Sequence, residues 1–269
     1  MKKILSLVLT AALLVGCCFA FASCGTQDAK KFEENGYFRC GITLYAPMNY
    51  FDEDGNLVGF DTEFAKAVAE ELGLEVKFQV IDWPSKYLEL NKGSIDMIWN
   101  DFTYGAEEDG TSRTEYVDFS YAYLNNSQCV VVKKGDLDTY TTLASLAGKR
   151  GMAEGGSAGE TVAKGASEDY TAVNVQSKAL LELNSGTVDF IVIDVLMAEA
   201  LVGQGDYRDL AIARAIELPA EVYAIGLRKG SDFTEKVNAA IAKLSADGTL
   251  DRIAEKYGLS NALIKNIGQ

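Results

Sequence analysis

The chain has 269 residues, 48% of them hydrophobic, enough for one large or two modest globular domains that each bury a core. A formal net charge of -14 sets nucleic acid aside as a partner, because a phosphate backbone is bound by a dense Lys/Arg face. Histidine is absent, which removes Ser-His-Asp and Cys-His catalysis, histidine general bases and every histidine-containing metal site.

Met1, Lys2 and Lys3 precede the apolar run ILSLVLTAALLVG, the pattern of a secretory signal over residues 1–24. A permanent membrane span is the alternative, since the run is long enough if it continues to Ala22. LVGC, ending at Cys17, and FASC, ending at Cys24, both resemble the lipobox of bacterial lipoproteins. After Cys24 the chain turns polar at once, so Cys24 is the expected lipidation site, Cys17 the alternative, and 25–34 a flexible tether. Stable anchoring then needs more than one lipid chain on that cysteine. Cys40 and Cys129 each sit in an apolar stretch and are expected to be buried free thiols.

From Tyr37 strands and helices alternate. Phe38, Cys40 and Ile42 recur at period two, then Phe64, Val68 and Leu72 at helical spacing, with Asp61 placed to cap that helix and Gly73 to end it. Val76, Phe78 and Val80 form the next strand, a second helix ends near Gly93, and IDMIW reads as a buried strand. Such βα units predict mostly parallel sheets with helices on their faces. A near-repeat is the most informative feature: LELNKGSIDMIWND (Leu88 to Asp101) matches LELNSGTVDFIVID (Leu181 to Asp194) without a gap. Two copies of one helix-turn-strand unit predict two similar lobes. Asn100 to Thr103 and Asp194 would then lie at the carboxyl ends of sheet strands, where open α/β sheets bind ligands. The chain is expected to cross between the lobes near Gln128 and again near Glu221, giving a two-strand hinge. Lobe one is assigned 35–126 and 222–269, and lobe two 127–221.

In the family's order, the strings YAPMNYFDEDGNLVGFDTEFAKAVAEELG, IDW with LELNKGSIDMIWNDFT, VDFSYAYLNNSQCVVVKKG, GGSAGE, VDFIVID and AIAKLSADGTLDRIAEKYG resemble the family 3, amino-acid type, extracellular solute-binding proteins of bacterial ABC transporters. The resemblance covers essentially the whole mature chain. It implies a two-lobe α/β fold of the periplasmic-binding-protein type (type II) and the binding of a polar amino acid between the lobes. The partners it implies are that free amino acid and the transmembrane subunits of an ABC permease. A monomer anchored by lipid at the outer face of the cell membrane follows, with no cofactor and no metal.

By the same resemblance Arg113 grips the ligand's α-carboxylate as a planar two-pronged donor. Thr103 and the backbone around Asp101 add donors, and Ser157 adds another from a helix start in lobe two, where it also suits an N-cap. Asp194 pairs with the α-ammonium, or caps the following helix, and Tyr45 and Trp83 cover the ligand. Two features depart from the family pattern. YGAEEDGTS separates Thr103 from Arg113, so either the loop bulges or the register moves, and Ile42, Thr43 and Leu44 stand where many relatives carry an acid. Asp101, where relatives often have glycine or serine, adds negative charge, as Glu154 could. The competing readings are an enzyme on the same scaffold, a cyclic-acid dehydratase, and a ligand-sensing ectodomain. Binding without catalysis is the reading preferred.

Overall fold

The computed structural model describes residues 26–268, so the expected leader and both lipobox cysteines, Cys17 and Cys24, lie outside the described residues. No described helix is long and apolar enough to cross a membrane. The chain opens with α1 (Asp28–Asn35), then β1 (Tyr37–Ile42), the short pair β2 (Tyr50–Phe51) and β3 (Leu57–Val58), α2 (Phe60–Glu71), β4 (Glu75–Val80), α3 (Lys86–Lys92) and β5 (Met97–Ile98). A second hairpin, β6 (Glu107–Glu108) and β7 (Thr111–Ser112), precedes β8 (Val117–Phe119) and the long β9 (Leu124–Lys133). Next come β10 (Gly151–Glu154), α4 (Ala158–Ala166), β11 (Tyr170–Val173), α5 (Gln176–Ser185), β12 (Phe190–Asp194), α6 (Val195–Leu201) and β13 (Leu210–Ile212). The chain closes with β14 (Ala220–Tyr223), β15 (Gly226–Arg228), α7 (Thr234–Ala246) and α8 (Thr249–Lys256).

The strands form two large sheets, ordered β4-β1-β5-β15-β8 and β11-β10-β12-β9-β13. The βα halves, β4-β1-β5 and β11-β10-β12, pair in parallel as expected and share one strand order. The rest of each sheet is antiparallel: β15 pairs with β5 and β8, and the long β9 with β12 and β13 on either side. The sequence repeat therefore occupies equivalent places. α3 leads through Gly93 (φ 75°) into β5, and α5 through Gly186 (φ 83°) into β12. The equivalence extends to side chains: Asp96 accepts from the backbone and Nε of Arg39, and Asp189 from the backbone and Nε of Arg150.

Two antiparallel strands join the sheets. β9 pairs with β14 from Leu124↔Tyr223 to Ser127↔Ala220, and Gln128 Nε2 donates to Glu221 Oε2 at 3.0 Å. Phe60, Phe64 and Val68 of α2 are fully buried, and Phe64 meets Trp99 and Tyr123 edge-on at 5.1 and 5.2 Å. Cys40 and Cys129 are buried and free.

Two local expectations are corrected. From Asp28 onward the flexible tether assigned to 25–34 is helix α1, because Ala29 and Phe32 share one face, and Phe32 packs edge-on against Phe233 at 4.9 Å. Asp28 is buried beside Arg228, with Nη2 to Oδ1 at 2.6 Å, which ties the start of the described chain to β15. Asp61 does not cap α2. Gly59 holds that position, and Asp61 turns inward from the first turn as a buried carboxyl.

Candidate ligand-binding site

The carboxyl ends of β5, β10 and β12 converge where the sheets face each other, and one small pocket lies between them. Thr43, Tyr45, Trp83, Asn100, Asp101, Thr103 and Arg113 line it from the first sheet's side. Gln128, Glu154, Ser157, Ala158, Gln176 and Asp194 line it from the second. All the ligand-contact residues expected from the sequence, Tyr45, Trp83, Asp101, Thr103, Arg113, Ser157 and Asp194, are thus brought together.

Arg113 is 1% exposed and braced on all sides. Its Nε donates to Glu108 Oε1 at 2.7 Å, Nη1 to the Thr103 carbonyl at 3.3 Å and Nη2 to the Gly156 carbonyl at 3.1 Å, while its guanidinium lies 4.6 Å from the centre of the Phe102 ring. A guanidinium has five N–H groups, so one remains on each terminal nitrogen, the pair that a carboxylate takes bidentately. The long spacer before Arg113 is a bulge and not a register shift. β6 and β7 turn through Asp109 (φ 49°) and Gly110 (φ 79°), both left-handed as a two-residue hairpin turn requires, and return Arg113 to Thr103.

Asp194 is a carboxylate clamped by amides. Oδ1 accepts from Asn126 Nδ2 and Gln128 Nε2, both at 2.7 Å, and Oδ2 from Gln176 Nε2 at 2.5 Å. Its side chain makes no cap on α6. Ser157 is the N-cap of α4, its Oγ accepting from Glu160 N at 3.1 Å, and it faces the pocket from that position. Gly159 lets α4 start this close to the hinge, since a Cβ there would sit 2.9 Å from both Gln128 Oε1 and the Val192 carbonyl. Trp83 lies in a 3-10 turn, its Nε1 donating to the Gly156 carbonyl at 3.1 Å and its ring edge-on to Phe102 at 5.7 Å. The Thr103 hydroxyl donates to Glu221 Oε2 at 3.3 Å, and the buried Tyr45 hydroxyl has no partner.

Charge is unevenly distributed in this buried space. Burial, reinforced by the charge of Asp194, pushes Asp101 well above the usual carboxylate range and Glu154 to about 8. Burial together with the Arg113 charge lowers Lys86 to about 8, against the pull of Glu108.

Sequence reasoning placed Asn100 at the ligand end of its strand without giving it a contact, and gave none to Thr43, Gln128, Ala158 or Gln176. One of them left a signal: Asn100 is polar where the other copy of the repeat has Ile193, and its Oδ1 accepts from Thr43 N at 2.7 Å, joining the ends of β1 and β5. Gln176 has none, being an ordinary polar residue at a helix start.

A cleft between two βα sheets joined by paired strands, with a guanidinium from one side and a carboxylate from the other, is the architecture of a two-lobed solute-binding protein. Residues 38–260 match the bacterial extracellular solute-binding proteins, family 3, and the chain belongs to that family. It is 30% identical to the L-cystine-binding protein TcyJ of Escherichia coli (strain K12), over 93% of this chain and 92% of that one. It is 29% identical to the arginine-binding extracellular protein ArtP of Bacillus subtilis (strain 168), over 91% and 96%. An ancestral arginine-binding protein bound to arginine is similar in structure, with 36% identity and a TM-score of 0.74, covering 82% of this chain and 98% of that one. These relatives are named as binding proteins, not as enzymes.

Proposed function

We propose that this protein is the substrate-binding component of an ABC importer, enclosing one free amino acid between its lobes and presenting it to a membrane permease. In this reading the α-carboxylate meets the two remaining N–H groups of Arg113, with Thr103 and the amides around Ser157 as further donors. The α-ammonium meets Asp194, and Tyr45 and Trp83 cover the ligand. Lobe two spans 127–221, the protein acts as a monomer, and a lipid on Cys24, or on Cys17, holds it to the outer face of the membrane.

The observation that carries this reading is the pairing of charges from opposite lobes in one enclosed pocket, Arg113 on one side and Asp194 on the other. Micromolar affinity requires about 8 kcal/mol, within reach of one charge-paired zwitterion held out of water. Binding rather than turnover is supported by the names of the relatives and by the bracing of the polar groups, Asp194 being held by three amides. The test is titration calorimetry of refolded protein, stripped of carried-over ligand, against the twenty amino acids, cystine and ornithine. Arg113→Ala is expected to weaken the bound one by about 2 to 5 kcal/mol. Unchanged affinity would remove Arg113 from the carboxylate site, and no heat with any amino acid would sink the reading.

A further inference from the structure

Three neighbouring strands deliver one polar row to the edge of the pocket. Asp194 ends β12 opposite Gln128 of β9, and Asn126, two residues earlier on the same face of β9, stands opposite Glu221 of β14. The two side-chain amides are shared between the two acids. Asn126 Nδ2 donates to Asp194 Oδ1 at 2.7 Å and to Glu221 Oε2 at 3.3 Å, and Gln128 Nε2 to the same two oxygens at 2.7 and 3.0 Å. An amide nitrogen carries two N–H groups, so both are spent, one on each acid. Asn126 Oδ1 has no hydrogen-bond partner, so the acids on its nitrogen side fix which way that amide points.

β9 and β14 are also the strands that join the sheets, and Glu221 Oε2 takes a third donor from the first lobe, the Thr103 hydroxyl at 3.3 Å. One oxygen on the return strand thus gathers both amides and lobe one. Asp194 and Gln128 border the pocket, whereas Glu221 lines a second cavity that Gln128 also borders, so it acts on a solute through its neighbours. Resting on the amino-acid reading above, we infer that Glu221 is a positioning residue for the ammonium site: it holds the amides of Asn126 and Gln128 with their nitrogens toward Asp194, and so fixes the carboxylate that meets the α-ammonium. Without it each amide has a buried N–H unpaired, a cost it can escape only by turning away from Asp194.

The test compares an α-amino acid with its α-hydroxy twin, because only recognition of the ammonium separates them. The pairs are L-arginine with L-argininic acid, L-histidine with L-imidazolelactic acid and L-alanine with L-lactate, by calorimetry on refolded protein. Glu221→Met removes the acceptor and keeps a side chain of similar length, and Glu221→Gln keeps an acceptor oxygen. Glu221→Met is expected to shrink the preference for the amino twin at least about 10-fold, and Glu221→Gln to keep it within about 3-fold of the unaltered protein. Equal weakening of both twins, the result for a residue that merely stiffens the hinge, overturns the inference and leaves the amino-acid reading intact, as does Glu221→Gln behaving like Glu221→Met. If none of these amino acids binds while another does, the unliganded protein decides by NMR: the side-chain N–H groups of Asn126 and Gln128 are expected to exchange with solvent at least about 10-fold faster in Glu221→Met. Unchanged exchange overturns the inference. Silence from every amino acid in the calorimetry above removes the proposed function, and the ammonium role of Glu221 with it.

Discussion

Glu108 Oε1 lies 2.7 Å from Arg113 Nε and 2.9 Å from Lys86 Nζ, so one carboxylate from the β6-β7 hairpin serves two cations whose side chains are each 1% exposed. The hydroxyl of Tyr87 donates to the same oxygen at 3.3 Å. The hairpin that lengthens the spacer before Arg113 thereby supplies the group that orients it. Removing this carboxylate leaves two buried cations with only the Gly156 carbonyl, which they share, and the Thr103 carbonyl, and breaking a buried pair costs about 3 to 5 kcal/mol. Glu108→Gln is therefore expected to lower unfolding free energy by about 3 kcal/mol in urea, and Lys86→Met in the same chain to restore at least half of it. A double variant no better than the single would show that Lys86 and Glu108 are not coupled.

The Gly156 carbonyl accepts from Trp83 Nε1 at 3.1 Å, Lys86 Nζ at 3.0 Å and Arg113 Nη2 at 3.1 Å, so one acceptor beyond β10 gathers donors from across the cleft. Such a cluster stabilises the closed arrangement over an open one. Trp83→Phe keeps a ring over the pocket and deletes one donor, and a single hydrogen bond contributes about 0.5 to 1.5 kcal/mol. Ligand dissociation in stopped flow is expected to quicken about 3- to 10-fold, with association nearly unchanged. An unaltered dissociation rate would show that this bond does not resist opening.

What the sequence made legible follows from which signals are local. The repeat ending at Asp101 and Asp194 revealed two like units because helix, glycine turn and strand are each encoded within a few residues. The pocket followed, since strand ends in such sheets converge. Less legible were groups whose role depends on distant partners. Glu108 is one acid in an acidic loop until the hairpin folds it onto Arg113, and Gln128 and Gln176 acquire a role only by meeting Asp194. Polarity alone misread 28–34 as a tether, because the lysines and glutamates of α1 hide a short apolar face completed by Phe233 in a distant part of the chain.

Asp28 gives that helix a measurable anchor. Its carboxylate accepts from Arg228 Nη2 at 2.6 Å, from the Ser231 hydroxyl at 2.9 Å and from the Thr26 hydroxyl at 2.8 Å, and these bonds outweigh burial to hold it below the usual carboxylate range. A lowered carboxyl contributes stability above its unfolded value, near pH 4, that is lost as pH falls further. Asp28→Ala leaves Arg228 with only the shared carboxylate of Asp96 and two backbone carbonyls. The unfolding free energy at pH 7 is expected to fall by about 2 to 4 kcal/mol. A loss under about 0.5 kcal/mol would mean that α1 docks through its apolar face alone.

Asp61 has the opposite pH signature. It is 1% exposed, Oδ2 accepts from the Asp101 backbone and the Tyr123 hydroxyl, each at 3.1 Å, and Oδ1 has no partner. Burial dominates those bonds and raises the carboxyl from 3.8 to about 7. Between those values the unfolded chain has released this proton and the folded protein keeps it, so folding stability declines as pH rises, by up to about 1.4 kcal/mol per pH unit. Glu154, raised to about 8, and the raised Asp101 and Glu221 add slopes of the same sign; a Glu154→Gln background removes one of them, and the contribution of Asp61 is read as the difference between that protein and its asparagine variant. In that background Asp61→Asn keeps an acceptor for the Asp101 N–H and removes the titration. Between pH 5 and pH 8 the unfolding free energy in urea is expected to fall by about 2 to 3 kcal/mol more with Asp61 in place than with asparagine, the variant being the more stable at pH 8. Parallel pH profiles for the two proteins would show that Asp61 ionises in the folded state as freely as in the unfolded one, and that its place beneath Asp101 imposes no penalty on its charge.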